Sequence, residues 1–396
     1  MPHNSWDRYY PRPQLRRDSF FPLLDGWTLN GRPIRVPWPP QAPLSGWRGA
    51  VGDVLRYETR FTLPGGFVPE GFRAVLHFGA VDQVAEAWVN GVSVVRHEGG
   101  YLPFSADITA ALRPGENRLL VKAVDTLSRD YPYGNQHKHP HGMGYTPVAG
   151  IWQPVGLEAV PQRGAVASLR LTPDLTGVNV EVDAGGAEYT VSVPLGEGRF
   201  VTAKGWDGMV RIDVPEPRLW TPDDPYLYSL TVTTPTDRVE SYFALRTVSA
   251  REIGGRTRLC LNGEPIFLHG VLDQGYFRDG LFLPRGPEGY ERDILRMKGL
   301  GFNTLRKHIK VEPEAFYHAC DRLGMLVLQD MVNSGGYDYV RDTVIPTFLS
   351  KKRSDVGRGG GEKRKAFFER HCLDTLAHLH SHPCIVGWTI FIECWG

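Results

Sequence analysis

A single carboxylate, Glu393, follows an apolar run near the end of the 396-residue chain. The run, residues 385–392, is rich in β-branched and aromatic residues, which is typical of a strand buried on both faces of a parallel sheet. A carboxylate at the carboxyl end of such a strand lies where barrels of parallel strands carry their chemistry. Glu393 is therefore a candidate catalytic acid or base, and the alternative is an ordinary solvated glutamate.

Three stretches of different pattern lead up to this strand. Up to residue 161, short strands are separated by Gly and Pro turns, with Asn90-Gly91 as a hairpin turn, which indicates a sandwich or jelly roll. Residues 162–250 contain six further short strands, a length that suits an immunoglobulin-like sandwich. In residues 251–396, strands alternate with helical periods, which predicts a parallel sheet of four strands, half of a barrel.

Composition limits the classes of protein to consider. Hydrophobic residues make up 41% and charged residues 22% of the chain, as in soluble globular proteins of two or three domains. A net charge of +1 gives no reason to expect nucleic acid or membrane partners. Residues 1–24 lack the apolar core of a secretory signal, and no stretch suits a membrane span. The five cysteines lie in apolar surroundings of the last third, so we predict reduced thiols in a cytoplasmic protein.

Two polar clusters could in principle hold a ligand. Residues 351–365 combine basic residues with glycines but lack the Gly-Lys-Ser/Thr ending of a phosphate-binding loop, so we interpret them as a loop beside the sheet edge. His137, His139 and His141 alternate in a Pro-broken loop between strands, a placement that does not favour a metal site. Neither a Gly-x-Ser-x-Gly elbow nor a dinucleotide fingerprint occurs, and we predict no metal and no cofactor.

Short motifs in a fixed order extend along nearly the whole chain: residues 24–27, 75–82, 88–91, 99–104, 107–109, 150–153, 219–222, 225–228, 261–263, 301–306, 321–324 and 329–330. With these motifs, the chain resembles glycoside hydrolase family 2, the group of β-galactosidases, β-glucuronidases and β-mannosidases. The resemblance implies a jelly-roll sugar-binding domain at 1–161, an immunoglobulin-like β-sandwich at 162–250, and the N-terminal half of a TIM (β/α)8 barrel, strands 1–4, at 251–396. The fold class is thus multidomain β plus α/β.

The resemblance also implies a retaining hydrolase of terminal β-glycosides. The motif of the family at the fourth barrel strand is Phe-Asn-Glu-x-Trp-Gly, and its acid/base Glu corresponds to Glu393. Such chemistry needs two carboxylates about 5–5.5 Å apart, and the proton donor among them has a raised pKa. Trp388 would line the substrate site, and the alternative is that it only packs.

Other residues at strand ends would orient the sugar ring. Arg306 matches the substrate-side arginine of the family, and His308 and Asp330 stand at comparable strand ends. The alternatives are a structural ion pair for Arg306 and a satisfied hydrogen-bond network for the other two. We interpret Lys307 and Lys310 as surface residues.

By the same resemblance, one loop of the first stretch is expected to reach the mouth of the barrel. It contains the three alternating histidines together with Tyr133 and Gln136, and Asp125 precedes it.

Two departures from the family pattern set limits on activity. Ile392 replaces the asparagine that holds the 2-hydroxyl, a type of contact that supplies several kcal/mol in the transition state. No residue matches the nucleophile of the seventh barrel strand. We therefore expect an incomplete chain with little or no activity alone, which self-associates through its open half barrel.

The alternative function is a non-catalytic carbohydrate-binding or interaction protein that uses the jelly roll. The expected partner in both cases is carbohydrate.

Overall fold

The computed structural model describes residues 5–140, 144–206, 208–334, 344–349 and 361–391. Two antiparallel β regions are followed by a region with a parallel sheet. No helix in the described ranges is long and apolar enough to cross a membrane. Four cysteines lie in these ranges, and their thiols are free; they are Cys260, Cys320, Cys372 and Cys384.

The first region is a β-sandwich, as its turn pattern indicates. Its strands are β1 (Phe20–Pro22), β2 (Thr28–Leu29), β3 (Arg32–Pro33), β4 (Val54–Thr62), β5 (Phe72–Phe78), β6 (Val81–Asp82), β7 (Val84–Val89), β8 (Val92–Glu98), β9 (Phe104–Asp107), β10 (Glu116–Val124), β11 (Gly150–Ile151) and β12 (Val155–Pro161). One sheet has the order β1-β12-β5-β9, and another has the order β3-β2-β4-β10-β7-β8. Side chains from both sheets share one core, which includes Tyr57 from β4 and Phe78 from β5.

Local sequence explains this pairing. In β4 and β10, buried and more exposed residues alternate, because successive side chains of a strand point to opposite faces. Asn90 and Gly91 have φ values of 50° and 86°, which is the left-handed geometry of the predicted hairpin turn between β7 and β8.

The second region consists of two antiparallel sheets around a core of their own. Its strands are β13 (Ser168–Pro173), β14 (Gly177–Asp183), β15 (Tyr189–Gly196), β16 (Arg199–Gly205), β17 (Gly208–Asp213), β18 (Tyr228–Thr233) and β19 (Arg238–Phe243). Their orders are β13-β14-β17 and β16-β15-β18-β19. Strand β16 is absent from the sequence prediction. It lies at a sheet edge with no fully buried residue, so no apolar alternation marks it.

The third region changes from antiparallel to parallel pairing. Its elements are β20 (Val248–Ile253), β21 (Arg256–Leu261), β22 (Glu264–Pro265), β23 (Gly270–Asp273), α1 (Glu288–Gly299), β24 (Thr304–Lys307), α2 (Glu314–Leu323), β25 (Leu326–Asp330), α3 (Ile345–Leu349), α4 (Glu362–Leu379) and β26 (Ile385–Thr389). Strands β23-β24-β25-β26 form the predicted parallel sheet. Since β23 and β26 each have one neighbour, the sheet is open at both sides in the described residues.

One buried carboxylate joins the second region to the parallel sheet. Asp321 at the end of α2 accepts hydrogen bonds from the Tyr242 hydroxyl at 2.8 Å and from the backbone N–H of Cys384 at 2.8 Å. Its Oδ2 atom is also 2.7 Å from Nδ1 of His382. Tyr242 belongs to β19, and Cys384 directly precedes β26. Because Asp321 is 0% exposed, each of these contacts is made away from water.

Asp321→Asn is expected to lower the free energy of unfolding by about 3–5 kcal/mol, because an amide leaves His382 and Tyr242 with a mismatched buried partner. Urea denaturation followed by circular dichroism measures this change. Asp293→Asn, at an exposed carboxylate paired with Arg296 on α1, is the matched control and should change stability little. Equal stability of the two variants would contradict the role of Asp321 as a junction.

Candidate active site

Arg306, His308 and Asp330 meet at the carboxyl ends of two neighbouring strands. Asp330, the last residue of β25, is 0% exposed. Its Oδ1 accepts a hydrogen bond from Nε of Arg306 at 3.0 Å, and its Oδ2 is 3.1 Å from Nδ1 of His308. Parallel pairing of β24 with β25 sets this arrangement, because Arg306 lies opposite Leu328 and its side chain leans toward the strand end. The structure therefore brings these three predicted residues together.

The Arg306 guanidinium combines a fixed position with access to solvent. Its side chain is 37% exposed, although its carboxylate partner is fully buried. Within the described ranges, Nε makes the hydrogen bonds to Asp330, and Nη1 and Nη2 make none. A guanidinium held in this way can donate to the hydroxyl or carboxylate oxygens of a ligand without first losing rotamer freedom.

The structure does not bring Trp388 into this group. In the ladder between β25 and β26, Trp388 lies opposite Gln329, and a register shift precedes it. Paired residues of a ladder share a face, so Trp388 lies on the face of Gln329, whereas Asp330 lies on the other. The Gln329 amide oxygen accepts a hydrogen bond from the Tyr317 hydroxyl of α2, which marks that face as the helix side. Glu393 and Ile392 lie outside the described residues.

A buried ion network occupies the helix side of the same strand ends. The Nζ atom of Lys307 is 2.7 Å from Oδ2 of Asp273 and 2.8 Å from Oε1 of Glu312, and Nζ of Lys310 is 2.9 Å from the same Glu312 oxygen. The two lysines are 1% and 2% exposed, so their interpretation as surface residues was wrong. Ion pairing is the physical reason, because it offsets the cost of removing two ammonium groups from water.

Burial acts differently on these two lysines. It disfavours the ammonium form of Lys307, but Asp273 and Glu312 together raise the pKa of this residue above its ordinary value. Burial lowers the pKa of Lys310 to about 8, and Glu312 only partly opposes this effect. Sequence patterns did not identify Glu312. The available signal was an acidic residue directly before Pro313, five positions after a lysine at a strand end.

A loop of the first region reaches these strand ends, as expected. Backbone N–H groups of Tyr133 and Gly134 donate to the carbonyl of Asn333, three residues after β25. The Asn333 side chain donates to Oδ1 of Asn135 at 2.7 Å. The ring of Tyr145 meets that of His308 edge-on, with centroids 6.2 Å apart. The first region thus forms part of the wall of the site.

The histidines of this loop were the candidate metal ligands. Among the described residues, no group of three or more His, Cys, Asp or Glu side chains is arranged to hold a metal ion. His137 and His139 fall within these ranges, and His141 falls outside them.

Two buried carboxylates lie beneath the loop. Asp82 is 0% exposed and accepts a hydrogen bond from the Gln136 amide at 3.2 Å; Asp125 is 6% exposed and accepts one from the backbone N–H of Leu127 at 2.8 Å. Burial raises the pKa of Asp125 to about 6; the Leu127 N–H opposes this shift, and Asp53 adds to it. Burial, followed by the nearby charge of Asp125, also raises the pKa of Asp82.

This shift predicts how stability depends on pH. The folded-state pKa of Asp125, about 6, exceeds its ordinary value of 3.8, so the folded chain binds this proton more tightly than the unfolded chain. The protonated Asp125 carboxyl therefore stabilises the folded chain below pH about 4, and this contribution is lost as the pH rises through about 6. The full contribution is at most about 3 kcal/mol of unfolding free energy.

Asp125→Asn should accordingly weaken the pH dependence of the unfolding free energy between pH 4 and pH 7, measured by urea denaturation at each pH. Asp25→Asn, at an exposed position of the same region, should keep the pH dependence of the parent chain. If Asp125→Asn kept it as well, the buried carboxyl would not be the titrating group.

Comparisons with known proteins come from sequence and from structure. The model of "Glycosyl hydrolases family 2, sugar binding domain" matches residues 42–159, and that of "Glycosyl hydrolases family 2" matches residues 165–246. A β-glucuronidase of Paenibacillus borealis is 27% identical over 380 residues, 87% of this chain and 59% of the relative. One of Felis catus is 30% identical over 389 residues, 87% of this chain and 55% of the relative. The chain therefore spans somewhat more than half the length of these curated relatives.

Solved structures show the same fold. The β-D-glucuronidase of Dictyoglomus thermophilum matches with a TM-score of 0.77 at 20% identity, over 96% of this chain and 68% of that one. The β-glucuronidase of Faecalibacterium prausnitzii matches with a TM-score of 0.73 at 25% identity, again over 96% and 68%. The two family models, which together cover about half of the residues, and the curated relatives show that the chain belongs to glycoside hydrolase family 2.

Proposed function

We propose that this chain supplies the glycone-binding side chains and the acid/base of a retaining hydrolase of terminal β-glycosides. The observation that carries the proposal is the half-exposed Arg306 guanidinium, which buried Asp330 holds at the carboxyl ends of parallel strands. The relatives are named β-glucuronidases and β-galactosidases, so β-glucuronides and β-galactosides are the substrates to test first.

The proposed domains are a jelly roll at residues 1–161, an immunoglobulin-like sandwich at 162–250, and the first four strands of a TIM barrel at 251–396. The order of the sheets supports this division, since two antiparallel regions with separate cores precede a parallel sheet with helical crossovers. In such barrels the carboxyl ends of the strands form the active-site face. Arg306, His308 and Asp330 stand at those ends.

Each residue of the site has a proposed role. Arg306 donates hydrogen bonds to the sugar ring through its Nη1 and Nη2 atoms, while Asp330 fixes its position and that of His308. The role of Trp388 in lining the site stays a prediction, because its pairing with Gln329 places it on the helix side of the sheet. Glu393 donates a proton to the leaving oxygen and then, as a base, activates the water that releases the sugar.

We further propose that the chain turns over little or no substrate by itself. Retention needs a second carboxylate as nucleophile, about 5–5.5 Å from the first, and no residue of this chain matches it in the family pattern. Ile392 also lacks the hydrogen-bonding group that the family places before the acid/base. Self-association through the open parallel sheet stays a prediction, motivated by exposed apolar side chains such as Leu272, which is 49% exposed.

Arg306→Gln tests the glycone-binding role. It should weaken the binding of free glucuronate or galactose at least about tenfold in isothermal titration calorimetry, because a fixed charged donor is lost. The matched control is Arg296→Gln, at an exposed arginine of α1 that should not contact the sugar. Equal affinity of both variants for every monosaccharide would contradict the proposed site.

Glu393→Gln tests the catalytic role with a panel of aryl β-glycosides. The parent chain should hydrolyse these substrates slowly at most. Glu393→Gln should lower that hydrolysis rate by about 10²–10⁴-fold. Fast turnover that Glu393→Gln abolishes would keep the acid/base assignment and refute the proposed inactivity. Turnover that survives in Glu393→Gln would refute the acid/base assignment itself.

A further inference from the structure

Helix α4 contacts the first region along one side. The ring of Phe367 meets that of Tyr131 edge-on at 4.8 Å, and it lies so close to Gly99 that a Cβ there would be 3.3 Å from the ring. Three positions later in the chain, the Arg370 guanidinium lies over the Phe367 ring, 4.7 Å from its centroid. This side of α4 therefore faces the end of β8.

A cavity of about 570 Å³ lies between β8 and α4. Such a volume is within the usual range for small-molecule sites. Polar side chains from both elements line it, and Arg306, His308 and Asp330 are not among them. The charged and imidazole groups are Arg96, His97 and Glu98 from β8, and Arg370, His371, Asp374 and His378 from α4.

Two imidazoles in this lining have unused hydrogen-bonding atoms. His371 is only 4% exposed, and its Nε2 atom has no hydrogen-bond partner among the described residues. The same holds for Nε2 of His97, whose ring stacks on Phe104 with centroids 4.2 Å apart. Buried polar side-chain atoms usually have a hydrogen-bond partner, so two unpartnered atoms in one cavity favour a ligand site there.

The charges of the cavity point to an anion. Arg96 is already neutralised, since it contacts Glu86 at 2.7 Å and Glu98 at 2.8 Å. In the described part of the chain, Arg370 forms no ion pair, although Asp374 lies one helical turn away. Burial, and then the charge of Arg370, lowers the pKa of His371 to about 4, and the same two causes act on His97. Both imidazoles are therefore neutral beside an unpaired cation.

We propose that this cavity binds a small molecule through a phosphate or carboxylate group. Arg370 forms the ion pair with the oxyanion, and the Nε2 atom of neutral His371 donates its N–H to one of the oxyanion oxygens. Asp374 is an acceptor for hydroxyl groups on the rest of the ligand. The volume of the cavity accommodates a molecule of monosaccharide size or somewhat larger.

Isothermal titration calorimetry of the chain with inorganic phosphate, and separately with succinate, tests the proposal. If only phosphate binds saturably, the site is assigned to phosphate compounds, and if only succinate binds, it is assigned to carboxylates. If both bind, the site recognises the oxyanion that the two share. Arg370→Gln should weaken binding at least about tenfold, and Arg296→Gln should leave it unchanged. Arg370 is exposed, so its substitution should not affect folding, which circular dichroism checks.

Nuclear magnetic resonance of the parent chain gives a readout that needs no variant. Phosphate or succinate should shift the ring Nε2 resonances of His97 and His371, and leave that of exposed His139 in place. The proposal is overturned if neither anion binds saturably, if Arg370→Gln binds as tightly as the parent chain, or if the two imidazole resonances do not move.

Discussion

The buried carboxylate of Asp330 determines the geometry of the candidate site. Asp330 is fully buried, so its charge must be balanced at close range, and Arg306 and His308 provide the available contacts. This requirement fixes the Arg306 guanidinium at the carboxyl ends of the parallel strands, and its Nη1 and Nη2 atoms remain able to bind a ligand. A site of this kind is ordered before a ligand binds, so little conformational entropy is lost when binding occurs.

The surrounding regions hold the strand ends in position. Asp321 ties β19 to the segment before β26, and the loop at Tyr133 joins the first region to the segment after β25 through Asn333. The ion network of Lys307 and Glu312 fills the opposite side of the same strands. The site therefore depends on contacts between regions that are far apart in sequence, and a change in one region is expected to reach the others.

Much of the fold could be predicted from local pattern, and much of the site could not. Asn90-Gly91 and the alternation of strands with helices predicted the hairpin and the parallel sheet, because turn chemistry and hydrophobic period act locally. The burial of Lys307 and Lys310 could not be predicted in this way, since it depends on Asp273 and Glu312, which only the fold brings near. The register shift before Trp388 and the polar side of α4 at His371 are likewise tertiary effects.

A crystal structure of the chain soaked with a monosaccharide glycone tests the central claim most directly. The account predicts that the sugar lies at the strand ends, with a ring oxygen substituent about 3 Å from Nη1 or Nη2 of Arg306 and with the contact between Arg306 and Asp330 retained. A sugar bound only on the outer surface of the first sandwich, with Arg306 unoccupied, would contradict the account and favour a carbohydrate-binding protein without catalysis.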